Sequence, residues 1–430
     1  MKPTRDRLIA LAGTLVIAFI YFWSYGRAVS KIPDGMGDFI HFYEAARAML
    51  LGKDIFASGT GGYIYPPLIA YVYMPLARLD FAAAARTDLI INIAISAATL
   101  FIGARESARR CGLKTRPVVI ALIASAAAIM MADKMRTELR MGQTNALMLL
   151  CFALGLVWMD RRPTLAGLVL GLAFNIKYLP IVLLPYLLVR RRWHTAGAFV
   201  AGILLFAFLP ALHTGWSQNL HDLRVAFAGM LNLVGLGSPG AAAQIQTITA
   251  PLSVSVTSAL ARAMGGDGAA KAASIAGLGV GAVFLVIWGA AYWSRKVPIV
   301  DWSQRGPSDP GRTLLQLFEW TSLIVFTLAF SPQTNMRHMY MTLLPIIAGV
   351  ALFAALPKQR AWVGASVLIG VLGLNLPPGG AGSDVAVRFW HDHGGPAWCL
   401  LIMQTGLVWA ATSAHRQFAV TSVKQGGAGA

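Results

Sequence analysis

Asp38 opens the run Phe39–Leu50 (FIHFYEAARAML), in which Phe39, Phe42, Tyr43, Ala46, Met49 and Leu50 recur at helical spacing. The pattern predicts a short amphipathic helix suited to lying on a membrane, with Asp38 at its start and Gly52 at its end. Two compatible chemistries follow for Asp38. It caps the helix by accepting backbone N–H bonds, or it is a carboxylate held at a membrane surface that takes a proton from a hydroxyl. His41, one turn along, reads as a surface residue. Tyr63-Ile64-Tyr65-Pro66-Pro67-Leu68 comes next. Paired prolines fix the backbone and donate no hydrogen bonds, so they start a second surface helix rigidly. Tyr71 and Tyr73 suit an interface.

The elements that must carry these residues are set by composition. Of 430 residues, 57% are hydrophobic and 13% charged, and the mean hydropathy is +0.61. Soluble domains run near 45–50% apolar and about 25% charged, so a water-soluble enzyme is excluded. A spanning helix needs roughly 20 apolar residues. Twelve candidate spans are readable, over about 8–27, 82–104, 117–132, 143–159, two short helices within 164–189, 193–212, 272–294, 313–330, 338–356, 361–376 and 396–414. The pair within 164–189 meets near Asn175, Lys177 and Pro180. The expected fold is therefore all-α and polytopic, one integral membrane domain over 1–430. A first external loop, 28–81, holds the two surface helices, and a long external loop covers 213–270.

The net charge of +18 reflects 36 Lys and Arg against 18 Asp and Glu. The basic residues cluster in short loops, as positive-inside topology requires, which puts both termini in the cytoplasm without a nucleic-acid partner. The run after Lys2, Arg5 and Arg7 has no small-residue cleavage site and reads as a retained first helix. Cys111, Cys151 and Cys399 show no pairing pattern. No DxD pair or HxxxH set is present, so neither metal nor cofactor is expected, and His391-Asp392-His393 reads as incidental.

Carboxylates fall on the outer segments: Asp34, Asp38, Glu44, Asp54, Asp80, Asp88, Asp133, Glu138, Asp222, Asp267, Asp384 and Asp392. Only Glu319 reads as embedded. Proton-coupled pumps keep ionisable groups at the membrane midplane, so an outward-facing active site fits better.

In their order, these pieces resemble the GT-C membrane glycosyltransferases, and more narrowly glycosyltransferase family 87. The resemblance is carried by Asp38-x-x-x-Phe42-Tyr43-x-Ala45-Ala46, Gly52-Lys53-Asp54, Tyr65-Pro66-Pro67-Leu68 and Pro75-Leu76. Downstream it continues in Gly142-Gln143-x-Asn145, in Gly171-Leu172-Ala173-x-x-Ile176-Lys177-x-x-Pro180 before a basic run, and in Ser331-Pro332, Arg337-His338 and Leu344-Pro345. Family members commonly show an aromatic before paired histidines at the last motif, where this chain has Asn335-Met336-Arg337-His338.

The resemblance implies transfer of a hexose, mannose in the family, from a polyprenyl-phosphate-linked donor to a lipid- or glycan-linked acceptor. The reaction would run on the outer face of a cell (inner) membrane. Asp38 matches the catalytic carboxylate, with Asp34 as runner-up. One such group suffices, because a phosphate leaves without protonation, unlike the alkoxide of glycoside hydrolysis. A single in-line displacement inverts the anomeric centre. Lys177, Arg337, His338, Gln143 and Arg140 would supply positive charge or donors to the departing phosphate, with Asn145 and Tyr65 as further lining. Plainer readings stand beside these: snorkelling for Lys177, a loop-end anchor for Arg337, a structural donor for His338, and interhelical hydrogen bonds for Gln143 and Asn145. A flippase or transporter of lipid-linked sugars and a non-enzymatic assembly factor are the rival classes.

Overall fold

The structure, a computed structural model, describes residues 3–58, 63–233, 247–250, 252–298, 310–376 and 384–426. Among the described residues it is helical apart from turns and one isolated antiparallel bridge between Ser253 and Asn335. In chain order the helices are α1 (Pro3–Val29), α2 (Phe39–Leu50), α3 (Pro67–Tyr73), α4 (Phe81–Arg110), α5 (Pro117–Met130), α6 (Ala132–Arg140) and α7 (Asn145–Trp158). Then follow α8 (Pro163–Ile176), α9 (Leu183–Val189), α10 (Trp193–Phe208), α11 (Ala211–Thr214), α12 (Trp216–Leu233) and α13 (Val256–Ala263). The last six are α14 (Ala270–Ser294), α15 (Pro310–Phe330), α16 (Leu343–Ala355), α17 (Arg360–Asn375), α18 (Asp384–Asp392) and α19 (Gly395–Gly426). Pro67, Pro117 and Pro163 start three of them, where a preset φ helps and the missing N–H costs nothing.

Every stretch expected to span is helical, yet length separates them. Seven helices among the described residues are long and apolar enough to cross a membrane, eight if α5 and α6 count as one broken span. Asn145–Trp158, Pro163–Ile176 and Leu179–Val189 are apolar but shorter. The chain is an all-α polytopic membrane protein. The region 213–270, expected as a loop, carries α12 and α13, and residues 234–246 of it lie outside the described ones.

The chain divides into two compact units: Met1–Ile20 with Leu100–Ala132 and Pro251–Ala430, and Tyr21–Thr99 with Asp133–Ala250. In the first, Gln404 of α19 donates to Phe318 O, Thr321 and Ser322 of α15, at 3.1, 3.1 and 2.8 Å. Arg262 of α13 donates to the carbonyls of Asp392 and His391, so the 391–393 cluster serves here as an anchor for α13.

In the second unit, α8 and α10 meet through glycines. A Cβ at Gly171 would lie 2.5 Å from the carbonyl carbon of Gly202, the close approach that small residues permit. Asn175 Nδ2 locks the pair, donating to Gly171 O and Ile203 O at 3.0 Å each. That fixes the point where α8 stops and Lys177 begins.

Two expectations need correction. The apolar face of α2 does not lie open to a membrane, because it is covered by aromatic side chains of its own unit. Phe39 and Tyr43 pack on Phe81 at 5.6 and 5.3 Å, and Phe42 packs on Tyr65 and Tyr73 at 4.9 and 5.6 Å between centroids. Burying each ring stabilises by roughly 1.5–3 kcal/mol, which fastens α2 to α3 and the start of α4. Asp88 is not an outer-loop acid either. It sits inside α4, 2% exposed, where Tyr73 Oη and Asn92 Nδ2 each donate to its carboxylate at 2.9 Å. Glu319 is thus joined by a second embedded carboxylate, satisfied by hydrogen bonds as buried polar groups must be.

Candidate functional site

Asp38 is positioned by a turn that the sequence pattern does not reveal. Gly35, Met36 and Gly37 take φ of 87°, 49° and 60°, three left-handed residues in a row. The turn presses on the Met141–Gln143 segment after α6: a Cβ at Gly37 would lie 2.6 Å from Met141 Cε and 2.9 Å from its Cα. Conversely, a Cβ at Gly142 (φ +57°) would lie 2.5 Å from Phe39 Cβ. The two glycines therefore allow two loops to interlock, and the Asp38 N–H donates to Met141 O at 2.8 Å.

The Asp38 side chain makes no capping bond to α2, so the capping reading is overturned. The α2 N–H groups are not its partners; Gln143 Nε2 donates to Asp38 Oδ2 instead. From Gln143 the bonds continue inward. Lys177 Nζ donates to Gln143 Oε1 at 3.3 Å and to Asn145 Oδ1 at 2.6 Å. Asn145 Nδ2 donates to Glu138 Oε2, and the Ala146 N–H to Glu138 Oε1, both at 2.8 Å. One ammonium thus stands between two amides, and each amide turns its oxygen to the lysine and its nitrogen to a carboxylate. An ammonium only donates and a carboxylate only accepts, so the two together fix which way each amide points.

Burial grades this set. Asn145 and Glu138 are 0% and 1% exposed, Gln143 2% and Lys177 7%, while Asp38 is half-buried. The ammonium lies 5.5 Å from the Tyr65 ring centroid, a cation–π contact. Tyr65 is itself held by Phe42 and by Tyr63, the latter at 5.8 Å. Tyr63 donates to Pro66 O at 2.5 Å and accepts from the Ala70 N–H at 3.2 Å. Burial pushes its phenol well above the ordinary tyrosine range, so it stays a neutral donor that ties the Tyr-Pro-Pro turn to α3.

The expected site residues thus separate. Asp38, Gln143, Asn145, Lys177 and Tyr65 come together in one unit. Arg140 ends α6 exposed to solvent, outside this chain of bonds, and Asp34 is exposed and paired with Lys31 at 2.8 Å. Arg337 and His338 belong to the other unit. There the Asn335 N–H donates to His338 Nδ1 at 3.2 Å and the Arg337 N–H to Asn335 Oδ1 at 2.9 Å. With Nδ1 accepting, the neutral ring carries its proton on Nε2, which makes that atom a donor. The Val254 N–H donates to Thr334 O at 2.8 Å and holds the segment in place.

Glu138 is the member that reading the sequence missed. A carboxylate seven residues before an Asn and inside a polar helix carries no spacing signal; only the fold brings it under Asn145. Asp222 of α12 is, with Asp88 and Glu138, a third buried acid in this unit, 1% exposed, accepting from Gln218 at 2.8 Å. Burial, with the Asp54 charge adding, pushes its carboxyl above the usual range. Among the described residues no group of three His, Cys, Asp or Glu is placed to hold a metal ion.

The sequence profile of glycosyltransferase family 87 matches residues 63–306. The stretch contains Tyr65, Glu138, Gln143, Asn145 and Lys177, while Asp38, Arg337 and His338 fall outside it. Among curated proteins, a polyprenol-phosphate-mannose-dependent alpha-(1-2)-phosphatidylinositol mannoside mannosyltransferase of Mycolicibacterium smegmatis is 28% identical over 50% of each chain. A polyprenol-phosphate-mannose-dependent alpha-(1-2)-phosphatidylinositol pentamannoside mannosyltransferase of the same organism is 28% identical over 67% of each. A relative from Mycobacterium tuberculosis, with the first one's description, is 26% identical over 50% of this chain and 54% of its own. The match spans about half the length of the first and third of these relatives. No solved structure matches the chain.

Proposed function

The chain belongs to glycosyltransferase family 87, and from that premise we propose that it transfers mannose from a polyprenyl-phosphate-linked donor to a lipid- or glycan-linked acceptor, with inversion. The reaction runs on the outer face of an inner membrane, with twelve crossings, both termini in the cytoplasm, and α2 and α3 at the outer surface. Asp38 is the general base: it takes the proton of the acceptor hydroxyl as that oxygen attacks the anomeric carbon and the polyprenyl phosphate leaves. Lys177, Arg337 and His338 carry the growing negative charge on the phosphate, joined by Arg140. Gln143, Asn145 and Tyr65 hold Lys177 and Asp38 in register. The 213–270 segment, with Asp222 on α12, selects the acceptor.

One observation carries this reading. The Gln143–Lys177–Asn145 bridge joins a fully buried carboxylate, Glu138, to a half-buried one, Asp38. The bridge fixes the outer carboxylate in place, and that outer member is the one that a substrate hydroxyl reaches. A base needs that combination of rigid placement and access.

The test uses the purified protein in nanodiscs with radiolabelled polyprenyl-phosphate-mannose and a total lipid extract. Label should pass into a glycolipid with wild type, and Asp38→Asn should transfer about 10²–10⁴-fold more slowly. Equal transfer by the two proteins would remove Asp38 from the mechanism and direct attention to Asp34. A wild type that binds no donor would end the mannose reading.

A further inference from the structure

The first unit holds a cavity of about 370 Å³ at the end of α14, lined by Arg295, Lys358, Gln359, Trp362, Trp409 and Ser413 among others. Among the described residues that line it, Arg295 and Lys358 are basic and none is a carboxylate. Its walls are set by contacts on three elements. The Arg295 guanidinium lies 5.8 Å from the Trp409 ring centroid, a cation–π contact that holds the charge at the rim. Trp362 Nε1 donates to Gly406 O at 3.0 Å, which fixes the second indole. Gly406 lets α17 and α19 close on each other there, since a Cβ at that position would meet Ser366 Oγ. Lys358 stands exposed on the Pro357–Gln359 turn between α16 and α17.

The surroundings point to a particular ligand. Trp293 and Trp362 are 82% and 58% exposed, as aromatic residues are at a membrane–water interface. From that level, exposed apolar side chains run along α14 (Leu278, Val283, Leu285, Val286) and along α17 (Leu368, Leu372). Two basic groups with polar neighbours at an interface, above two apolar tracks, match the chemistry of a phosphodiester headgroup with two acyl chains. We propose that this cavity binds the headgroup of an anionic phospholipid, with Arg295 and Lys358 on the phosphate, Gln359 and Ser413 on the glycerol, and the chains against α14 and α17. Basic pockets between transmembrane helices recognise acidic lipids by these means. The site uses none of the residues assigned to mannose transfer.

The test is native mass spectrometry of the full-length protein in detergent, supplemented with dioleoyl phosphatidylglycerol or dioleoyl phosphatidylcholine, with and without sodium phosphate. Wild type should retain phosphatidylglycerol in preference to phosphatidylcholine. Arg295→Gln/Lys358→Gln should lower that affinity roughly 30-fold, about fivefold for each basic residue removed at the interface. Lys358→Gln alone changes one exposed side chain, cannot unfold the protein, and should still show its share. The charge-matched pair Arg78→Gln/Lys114→Gln should leave binding unchanged. Equal retention of both lipids, an unaltered affinity in the double variant, or the same loss in the charge-matched pair would overturn the proposal. Displacement by inorganic phosphate alone would do so too, marking a site for a soluble anion.

Discussion

Glu106 and Arg110 in one unit, and Glu138 and Lys177 in the other, are both acid–base sets closed off from water, but they are wired differently. In the first, the ions touch. Arg110 Nε donates to Glu106 Oε1 at 2.5 Å, and Arg109 donates to both Glu106 oxygens at 2.8 and 2.6 Å. Arg110 then reaches across to Gln316 Oε1 at 2.6 Å and Thr313 O at 3.3 Å, fastening α4 to α15. In the second set, amides stand between the lysine and the acids, and the last acid, Asp38, is half-buried. Direct pairing neutralises a carboxylate and holds helices together. Amide bridging sets one lysine between two acids and leaves the outer one reachable. Both sets satisfy their buried groups, but only the bridged one ends in a side chain with chemistry left to do.

The largest expected effect is therefore at that end. In Asp38→Asn the new Oδ1 still accepts from Gln143, so the thermal midpoint should hold while transfer falls about 10²–10⁴-fold. If the midpoint collapses as well, the bridged network is structural like the other. Arg110→Ala should do the reverse. Breaking a buried ion pair costs about 3–5 kcal/mol, toward the lower end here because Arg109 still pairs with Glu106. The variant should melt earlier in detergent yet keep its transfer rate per folded molecule. A smaller effect is expected for Gly37→Ala. A left-handed alanine and its collision with Met141 strain the turn by roughly 1–3 kcal/mol, and Met141 O must shift away from the Asp38 N–H. Transfer should fall with donor affinity unchanged, and a wild-type rate would mean that the interlocked loops do not set the base.

How much of this could be read from the chain follows from which forces are local. The helices were legible because apolar runs and proline starts are sequence-local, and so was the grouping of Asp38, Gln143, Asn145, Lys177 and Tyr65, through their motif order. Helix length is a property of the fold: Asn145–Trp158 and Pro163–Ile176 are apolar enough to read as spans and are 14 residues each. The burial of the α2 face was hidden because an amphipathic stripe looks alike whether lipid or Phe81 covers it. Asp88 reads as an outer acid until Tyr73, fifteen positions away, is seen to donate to it. Capping by Asp38 was the reasonable local reading, and a long-range partner, Gln143, displaced it.

Glu138→Gln tests the inner end, and its expected effect is the smallest. Glu138 accepts from Asn145 Nδ2 and from the Ala146 N–H. A glutamine of the same shape offers one acceptor and one donor, so one of those N–H groups must face an NH₂. The backbone N–H cannot turn, but the Asn145 amide can. Once flipped, Asn145 presents its nitrogen to Lys177, where two donors oppose each other. The ammonium loses its 2.6 Å bond and leans on Gln143, disturbing the group that holds Asp38. A mispaired buried donor costs about 1–3 kcal/mol, so transfer should fall about tenfold, with a modest loss of thermal stability. Lys177→Met removes the donor that the flip offends, so the double variant should lose less than the sum of the singles, with a coupling of about 0.5–3 kcal/mol. Strict additivity would mean that Glu138 and Lys177 do not communicate through Asn145. The bridged network would then be two separate pairs.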